Sequence, residues 1–522
     1  MRPFLSRGCA PLLLSALACG VAAPELAAQA TEQSYVLCPW YKPANYWSSA
    51  LASDNDWLIS GAPRDSLLWP LVGHGAVSVH RRDPVTGAWI HHQTKYASDY
   101  SSDDRFGFAV AAEGDVFVAS ALHNQVSTLV RAGSVYVFRK DPVTGLFVEE
   151  QRLDSIVPAT DEFFGHALAL KGDVLLVGAP NTFISGTQVG SVQVFRRDPG
   201  TGVWSFETQL LDDDPDPGAA FGSAIAFDGT TAVIGAPDAD QNFVQNCGSV
   251  ELFTVSGTTW TKGQEILSPT LQTSGNFGAA VALSSGRIAV GVPSEHNGAN
   301  LWVGAVRTFA LDSGTGLYTH EQRLLSTISN GSRFGAALAL DGSVLAVGEY
   351  GVSTGGGQSG VAWTYRLGKK SNGPWHLESQ LTAGSTWVEE EFGHAVAIDA
   401  KHVLVGSRYT DTSSGYDSGA IYLYDKAEFT LSVTPTQPAP GATIDLEAHR
   451  GAPGAPILLA VEAIDSIPVF IPLLYDVFAA DYRWSLQLDA PDPAFGSTVS
   501  VRAWKIGAGG PLVGSNVIDV DL

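Results

Sequence analysis

The segment at 164–180, FGHALALKGDVLLVGAP, returns seven times along this chain with nearly constant spacing. Its leading aromatic is Trp47, Phe106, Phe164, Phe221, Phe277, Phe334 and Phe392, at steps of 59, 58, 57, 56, 57 and 58 residues. Fourteen residues after each aromatic stands a Gly or Ser: Gly61, Ser120, Gly178, Gly235, Gly291, Gly348 and Gly406. So regular a period means repeated supersecondary units that cannot bury their faces alone and must stack.

Within the unit the first run alternates by size, with Gly165, Ala167 and Ala169 on one side and Phe164, His166, Leu168 and Leu170 on the other. Period two is the signature of a strand, here expected to begin at the aromatic. One face pared down to Gly and Ala suits the crowded inner strand of a wedge whose neighbours converge on an axis. The fold expected is all-β, a seven-bladed β-propeller. Each repeat then reads as four strands. The DPVTG and DPGTG runs that start at Asp83, Asp141 and Asp198 close the hairpin between the third and fourth strands, with Pro fixing φ and Gly supplying a positive φ. These turns and the short first hairpins share one end of the ring. The long, dissimilar loops after the second strand lie on the other, upper face, where a rigid scaffold displays variable residues. The seventh repeat lacks its fourth strand, and Glu32 and Gln33 near the start align with Glu150 and Gln151. Residues 31–38 are therefore expected to supply that strand and close the ring, which removes an open edge.

Residues 1–30 carry Arg2 and Arg7, an apolar run over 11–23 and a small-residue site at Ala28 and Ala30, the pattern of a secretory signal peptide. Cys19 is an alternative lipid-attachment site, with the Leu one place from where a lipobox usually has it. The whole chain has a formal charge of −23, and removing the leader takes away two arginines and one glutamate, leaving −24. Nucleic acid and anionic membranes are poor partners for such a surface. No apolar run after the leader reaches the roughly 20 residues of a membrane span. Cys38 and Cys247 are the cysteines left after the leader, and the blade assignment puts them three blades apart, too far to bond. The domains expected are the signal peptide over 1–30, the propeller over 31–426, and a small immunoglobulin-like β-sandwich over 427–522, where the repeat gives way to alternating runs near 442–448, 482–488 and 498–503.

Phe-Gly, then Gly-Ala-Pro, then a Gly-Ser-Val run resembles the FG-GAP repeat of integrin α-subunit propellers and their bacterial exported relatives, over residues 31 to about 425. Gly-Ala-Pro is complete at Gly61, Gly178 and Gly235, and decays elsewhere. The resemblance implies extracellular adhesion or ligand binding by the upper face, and a protein or glycan as partner. Integrin-type propellers hold Ca²⁺ in first hairpins rich in aspartate. Here those hairpins have about one carboxylate each, at Asp173, Asp228, Asp341 and Asp399, too few oxygens for the cation. No cofactor is expected; the oxygen-rich alternatives for Ca²⁺ are Asp212, Asp214 and Asp216, with Asp238 and Asp240 in a neighbouring loop. Candidate ligand residues on the upper loops are Trp69, Asp238, Asp240, Trp302, Tyr350, Tyr409 and Tyr416. His166 and His394 read as core histidines between blades rather than a ligand pair. There is no Gly-x-Ser-x-Gly elbow, His-Glu-x-x-His, Cys-x-x-Cys or phosphate loop. The function expected is therefore a secreted or cell-surface, non-enzymatic binding module. The alternatives are a propeller glycan-active hydrolase or lyase, favoured by a pocket of converging carboxylates, and a structural component of the cell envelope.

Overall fold

The computed structural model describes Ala28 and Gln29 and most of residues 34–426, leaving out 40–45, 55, 67–71, 297–301, 327, 329–331, 355–356, 369–374, 384–390 and 411–417; of the C-terminal part it describes strands only. Residues 1–27 and 30, which with Ala28 and Gln29 make up the expected leader and which include Cys19, lie outside it.

Seven four-stranded antiparallel sheets form the molecule's ring. The third blade is typical, with Leu168–Lys171, Val174–Ala179, Ser191–Arg197 and Trp204–Leu210 paired in that order. Inner strands touch in sequence from the first blade to the seventh, and the seventh, Phe392–Ile398, touches the first, Ala50–Asp54, so the ring is closed. Ser34–Leu37 pairs antiparallel with Ala420–Asp425 as the outer strand of the seventh blade, as expected. The two-residue strand Ala28–Gln29 lies parallel to the sixth blade's outer strand, Trp375–Leu381.

The alignment behind that closure is displaced by one residue. Leu153 pairs with Val135, and the equivalent pair in the seventh blade is Val36 with Ile421. Leu153 thus corresponds to Val36, and Gln151 to Ser34. A one-residue slip exchanges the faces of a strand, and burial chooses: Val36 packs between the seventh and first blades, while Tyr35 is 58 % exposed.

The core is divided among the blade interfaces. Seven apolar clusters lie one at each junction of adjacent blades, and the repeat aromatic sits in each, from Trp47 to Phe392, none more than 1 % exposed. Burying one such side chain contributes about 2–3 kcal/mol, so no blade is stable without its neighbours.

The first strand departs from expectation. In five repeats it begins after the Phe-Gly, at Ala50, Leu168, Ala224, Ala280 and Ala337. In the second and seventh it begins at the Phe but carries a bulge immediately after. The Gly turns the chain at φ between 86° and 94° in six repeats. Close approach then explains the second Gly: a Cβ on Gly178 would lie 2.1 Å from the carbonyl oxygen of Gly222 in the next blade, and one on Gly235 would lie 2.0 Å from that of Gly278. Phe-Gly and Gly-Ala-Pro are the two halves of one contact between blades.

At the lower end, each Asp of the third hairpin accepts two backbone N–H groups, as Asp141 does from Val143 and Thr144, both at 2.8 Å. Asp312 makes the same turn without Pro. Toward the C-terminus, Thr430–Thr434, Thr443–His449 and Arg483–Asp489 form one antiparallel sheet, and Pro456–Ile464, Ile467–Val477, Thr498–Ile506, Leu512–Gly514 and Ile518–Asp521 form another. The packing expected of these as a sandwich lies outside the described residues. No described helix is long and apolar enough to cross a membrane.

Candidate functional site at the upper mouth

Each repeat enters its inner strand from the upper face through the residue before the Phe-Gly. That residue is left-handed in all seven repeats: Tyr46, Arg105, Phe163, Ala220, Asn276, Arg333 and Glu391, at φ from 48° to 58°. The aromatic that follows anchors the position, since its N–H donates to a carbonyl of the preceding blade, as Phe221 does to Val189 at 3.1 Å and Phe277 to Cys247 at 3.0 Å. The backbone repeats while the side chains differ. These seven positions ring the upper mouth of the ring's axis. Facing them are the residues after Gly-Ala-Pro, including Arg64, His123, Asn181, Asp238 and Tyr409.

The mouth has two characters. Across the sixth, seventh and first blades it is aromatic and cationic. Tyr350 stacks on His394 at 5.3 Å and accepts a hydrogen bond on its hydroxyl from Arg333 at 2.9 Å. Tyr409 meets Tyr46 edge-on at 4.9 Å, and the guanidiniums of Arg408 and Arg64 lie 4.9 Å from the centres of the Tyr409 and Tyr46 rings. Arg408 also pairs with Glu391 at 2.6 Å. Burial raises the Tyr409 phenol above its ordinary range, and burial together with the Arg408 charge lowers His394 to about 3, so its ring is neutral. Across the fourth and fifth blades the mouth is small and polar, with Ala220 at one position and Asn276, at the next, donating to Asp238 at 2.8 Å.

Of the candidates read from sequence, Tyr350 and Tyr409 fall on the aromatic side and Asp238 on the polar side. Trp302 stands apart in the fifth-blade loop against His296, ring centres 4.0 Å apart, and is 45 % exposed. Trp69 and Tyr416 lie outside the described residues. His166 is neutral through burial, between Phe108 of the preceding blade and the Ser223 carbonyl of the next. Sequence reading passed over Tyr46, Arg64, Arg333 and Arg408. Their signal was positional: three of them directly precede a Phe-Gly-type pair or follow a Gly-Ala-Pro.

The acidic loops are largely consumed by their own chain. Asp212 accepts from the Asp214 N–H at 3.1 Å and from Lys262 at 3.0 Å. Asp216 accepts from the Asp240 N–H at 3.0 Å, and Asp240 from the Asn246 N–H at 2.8 Å. No described group of three or more His, Cys, Asp or Glu is arranged to hold a metal ion. Neither Cys38 nor Cys247 is in a disulfide, and both are buried, as the blade assignment required.

A cleft of about 240 Å³ opens beside the second blade, among Asp99, Asp103, Asp104, His123 and Arg131. Burial pushes Asp104 up to about 6. Its neighbours are already engaged, Asp99 by Tyr136 and Arg152, and Asp103 by Arg105 and His123.

Against known proteins, the family model described as FG-GAP repeat matches residues 89–138, 147–195, 204–253 and 375–424. Each match runs from the outer strand of one blade through the third strand of the next, so the sequence unit straddles the structural one. No curated protein matches the chain. Among solved structures, Sqt1 of Saccharomyces cerevisiae is 10 % identical, with 81 % of this chain and 96 % of that one covered at a TM-score of 0.41. The periplasmic gluconolactonase PpgL of Pseudomonas aeruginosa is 13 % identical, with 80 % and 95 % covered at 0.40. Likenesses this distant carry no argument about what this chain does.

Proposed function

We propose that this seven-bladed propeller, four segments of which match the FG-GAP repeat, is a secreted or cell-surface binding module whose ligand sits on the upper mouth. The observation that supports this is the set of seven left-handed residues. A non-Gly residue held at positive φ costs about 1 kcal/mol or more, and Gly would relieve that cost. None of the seven is Gly, and only Asn276 is of a type that tolerates the conformation well. A backbone that keeps this strain while varying the side chain supports a role for the side chains themselves, on a scaffold that holds them still.

The test is an array of glycans and cell-surface proteins, probed with and without Ca²⁺, then repeated with a variant that replaces Tyr46, Arg333 and Glu391 by Gly. Loss of the array signal with unchanged melting supports the reading. Ligand binding that no mouth substitution alters sinks it.

A second reading, a glycan-active hydrolase or lyase, rests on the cleft at Asp99, Asp103 and Asp104, the converging carboxylates that such a site needs. Asp104, pushed up to about 6 by burial, has a proton affinity suited to a general acid. Turnover of a chromogenic glycoside by the native chain, abolished in Asp104→Asn, would establish it; the absence of any turnover across a broad glycoside panel would remove it.

A further inference from the structure

We propose that the arc across the sixth, seventh and first blades is a site for a polyanionic polysaccharide, carboxylated or sulfated. The inference rests on the binding-module reading and narrows it to one ligand class and three blades.

The arc is continuous. Arg333 reaches Tyr350, Tyr350 stacks on His394, His394 lies in the field of Arg408, and Arg408 spans Tyr409 and Tyr46 before Arg64 ends the series. Arg64 and Arg333 are exposed, and among the described residues neither pairs with a carboxylate; their guanidiniums donate to the Tyr46 and Tyr350 hydroxyls. Glu391 is engaged by Arg408, and Asp65, beside Arg64, is fully buried. Among the described residues the arc carries three guanidiniums to the carboxylates of Glu391 and Asp65, against the trend of a chain of formal charge −23. Its value lies in drawing an anion to one place on a molecule that repels anions elsewhere.

The form of the charge matters as much as its sign. Three guanidiniums lie over tyrosine rings, at 4.9 Å for Arg64 on Tyr46, 4.9 Å for Arg408 on Tyr409, and 5.6 Å for Arg333 on Tyr350. A guanidinium held against a ring loses less entropy when it grips a carboxylate or sulfate with two hydrogen bonds. Anionic groups at intervals along a chain suit such a row.

An acidic protein segment is disfavoured by what surrounds the arc. Protein interfaces have an apolar centre. The large exposed hydrophobic side chains of the described residues lie on other loops and on outer strands, with none among the arc residues. Sugars need no such centre.

The test uses the full chain at low salt, titrated with oligogalacturonate, with heparin-derived oligosaccharide, with a neutral oligosaccharide and with poly-glutamate. The native chain should bind the carboxylated or the sulfated glycan, and the pair of titrations tells which. Arg64→Ala with Arg333→Ala should weaken that binding about tenfold or more. Arg333→Lys should keep only part of it, because lysine retains the charge without the fork. Val85→Ala and Val143→Ala, exposed in the lower hairpins, should leave it unchanged. Melting of each variant guards against unfolding. The proposal is overturned if neither acidic glycan binds, if the neutral glycan or poly-glutamate binds equally well, or if the double arginine variant binds as the native chain does. If other ligands still bind and depend on the polar side of the mouth, this inference fails while the binding-module reading stands; if no bound ligand responds to any mouth variant, that reading fails as well.

Discussion

A single methyl group measures how closely the blades approach. A Cβ at Gly235 would stand 2.0 Å from the Gly278 carbonyl oxygen, against backbone that cannot yield without opening the blade interface. Gly235→Ala should cost about 3 kcal/mol or more in urea unfolding. Gly87, at φ 74° in a lower hairpin, has nothing within 4 Å of the added carbon; Gly87→Ala should cost only about 1 kcal/mol, the conformational part. Equal costs would mean that the contact between blades is not what these glycines serve. A second residue-scale test concerns Glu251, fully buried in the fourth blade with Lys262 at 3.0 Å. One lysine cannot neutralise two acids, and Asp212 shares it. Burial, then the nearby Asp212 charge, pushes Glu251 up to about 8, so it is protonated in the folded state at neutral pH. The unfolded chain releases that proton from about pH 4.5 upward, which favours unfolding. The native chain should therefore lose stability between about pH 4.5 and 8, on the order of 4 kcal/mol from this group. Glu251→Gln should remove that part of the slope, seen as a growing advantage of the variant over the native chain in urea titrations at pH 5, 6.5 and 8. A constant difference across those pH values would rule the assignment out.

At the scale of strands, the ring depends on Ser34–Leu37, because without it the edge of Ala420–Asp425 is open. Removing residues 31–38 should yield a chain that aggregates, which size-exclusion chromatography would report as loss of the monomer peak. The register makes a finer demand. Val36→Asp places a charge in the partly buried apolar seam between the seventh and first blades and should cost on the order of 2 kcal/mol. Tyr35→Asp, on the exposed face, should change stability by less than about 0.5 kcal/mol. The reverse order would restore the alignment of Gln33 with Gln151. Outer strands are joined by a further device invisible in any one repeat: the Gln151 amide donates to the Trp204 carbonyl at 2.8 Å and accepts from its N–H at 2.9 Å. Gln93, Gln264 and Gln322 repeat this link to the next blade.

At the scale of the described ring, stability comes from seven similar interfaces rather than one core. The aspartates of the acidic loops hold their own backbone, Asp216 bridging to the loop of Asp240. EDTA should accordingly shift the melting temperature by less than about 1 °C, because a ligand stabilises only what it binds. A fall of many degrees, restored by Ca²⁺, would place a cation at Asp212, Asp214 and Asp216 after all. The upper and lower faces also divide the labour. Lower hairpins are short and held by aspartate-capped turns, whereas the upper mouth keeps strained residues of unlike chemistry on an equally fixed frame.

Read alone, the chain determined the number of blades, the turns and the closing segment, because a period near 57 residues and the pairing of Phe-Gly with Gly-Ala-Pro reflect steric demands met again at every interface. Such demands leave the same residue types at the same spacing. What tertiary structure alone decided were relations between residues far apart in the chain. The register of Ser34–Leu37 depended on which side chain the first blade would cover. The bend at each Phe-Gly depended on a neighbour's backbone some 45 residues away, as Gly178 and Gly222 illustrate. The arc of Arg333, Arg408 and Arg64 spans the point where the two ends of the ring meet. Closure brings position 408 beside position 46, and nothing local in either stretch carries that contact.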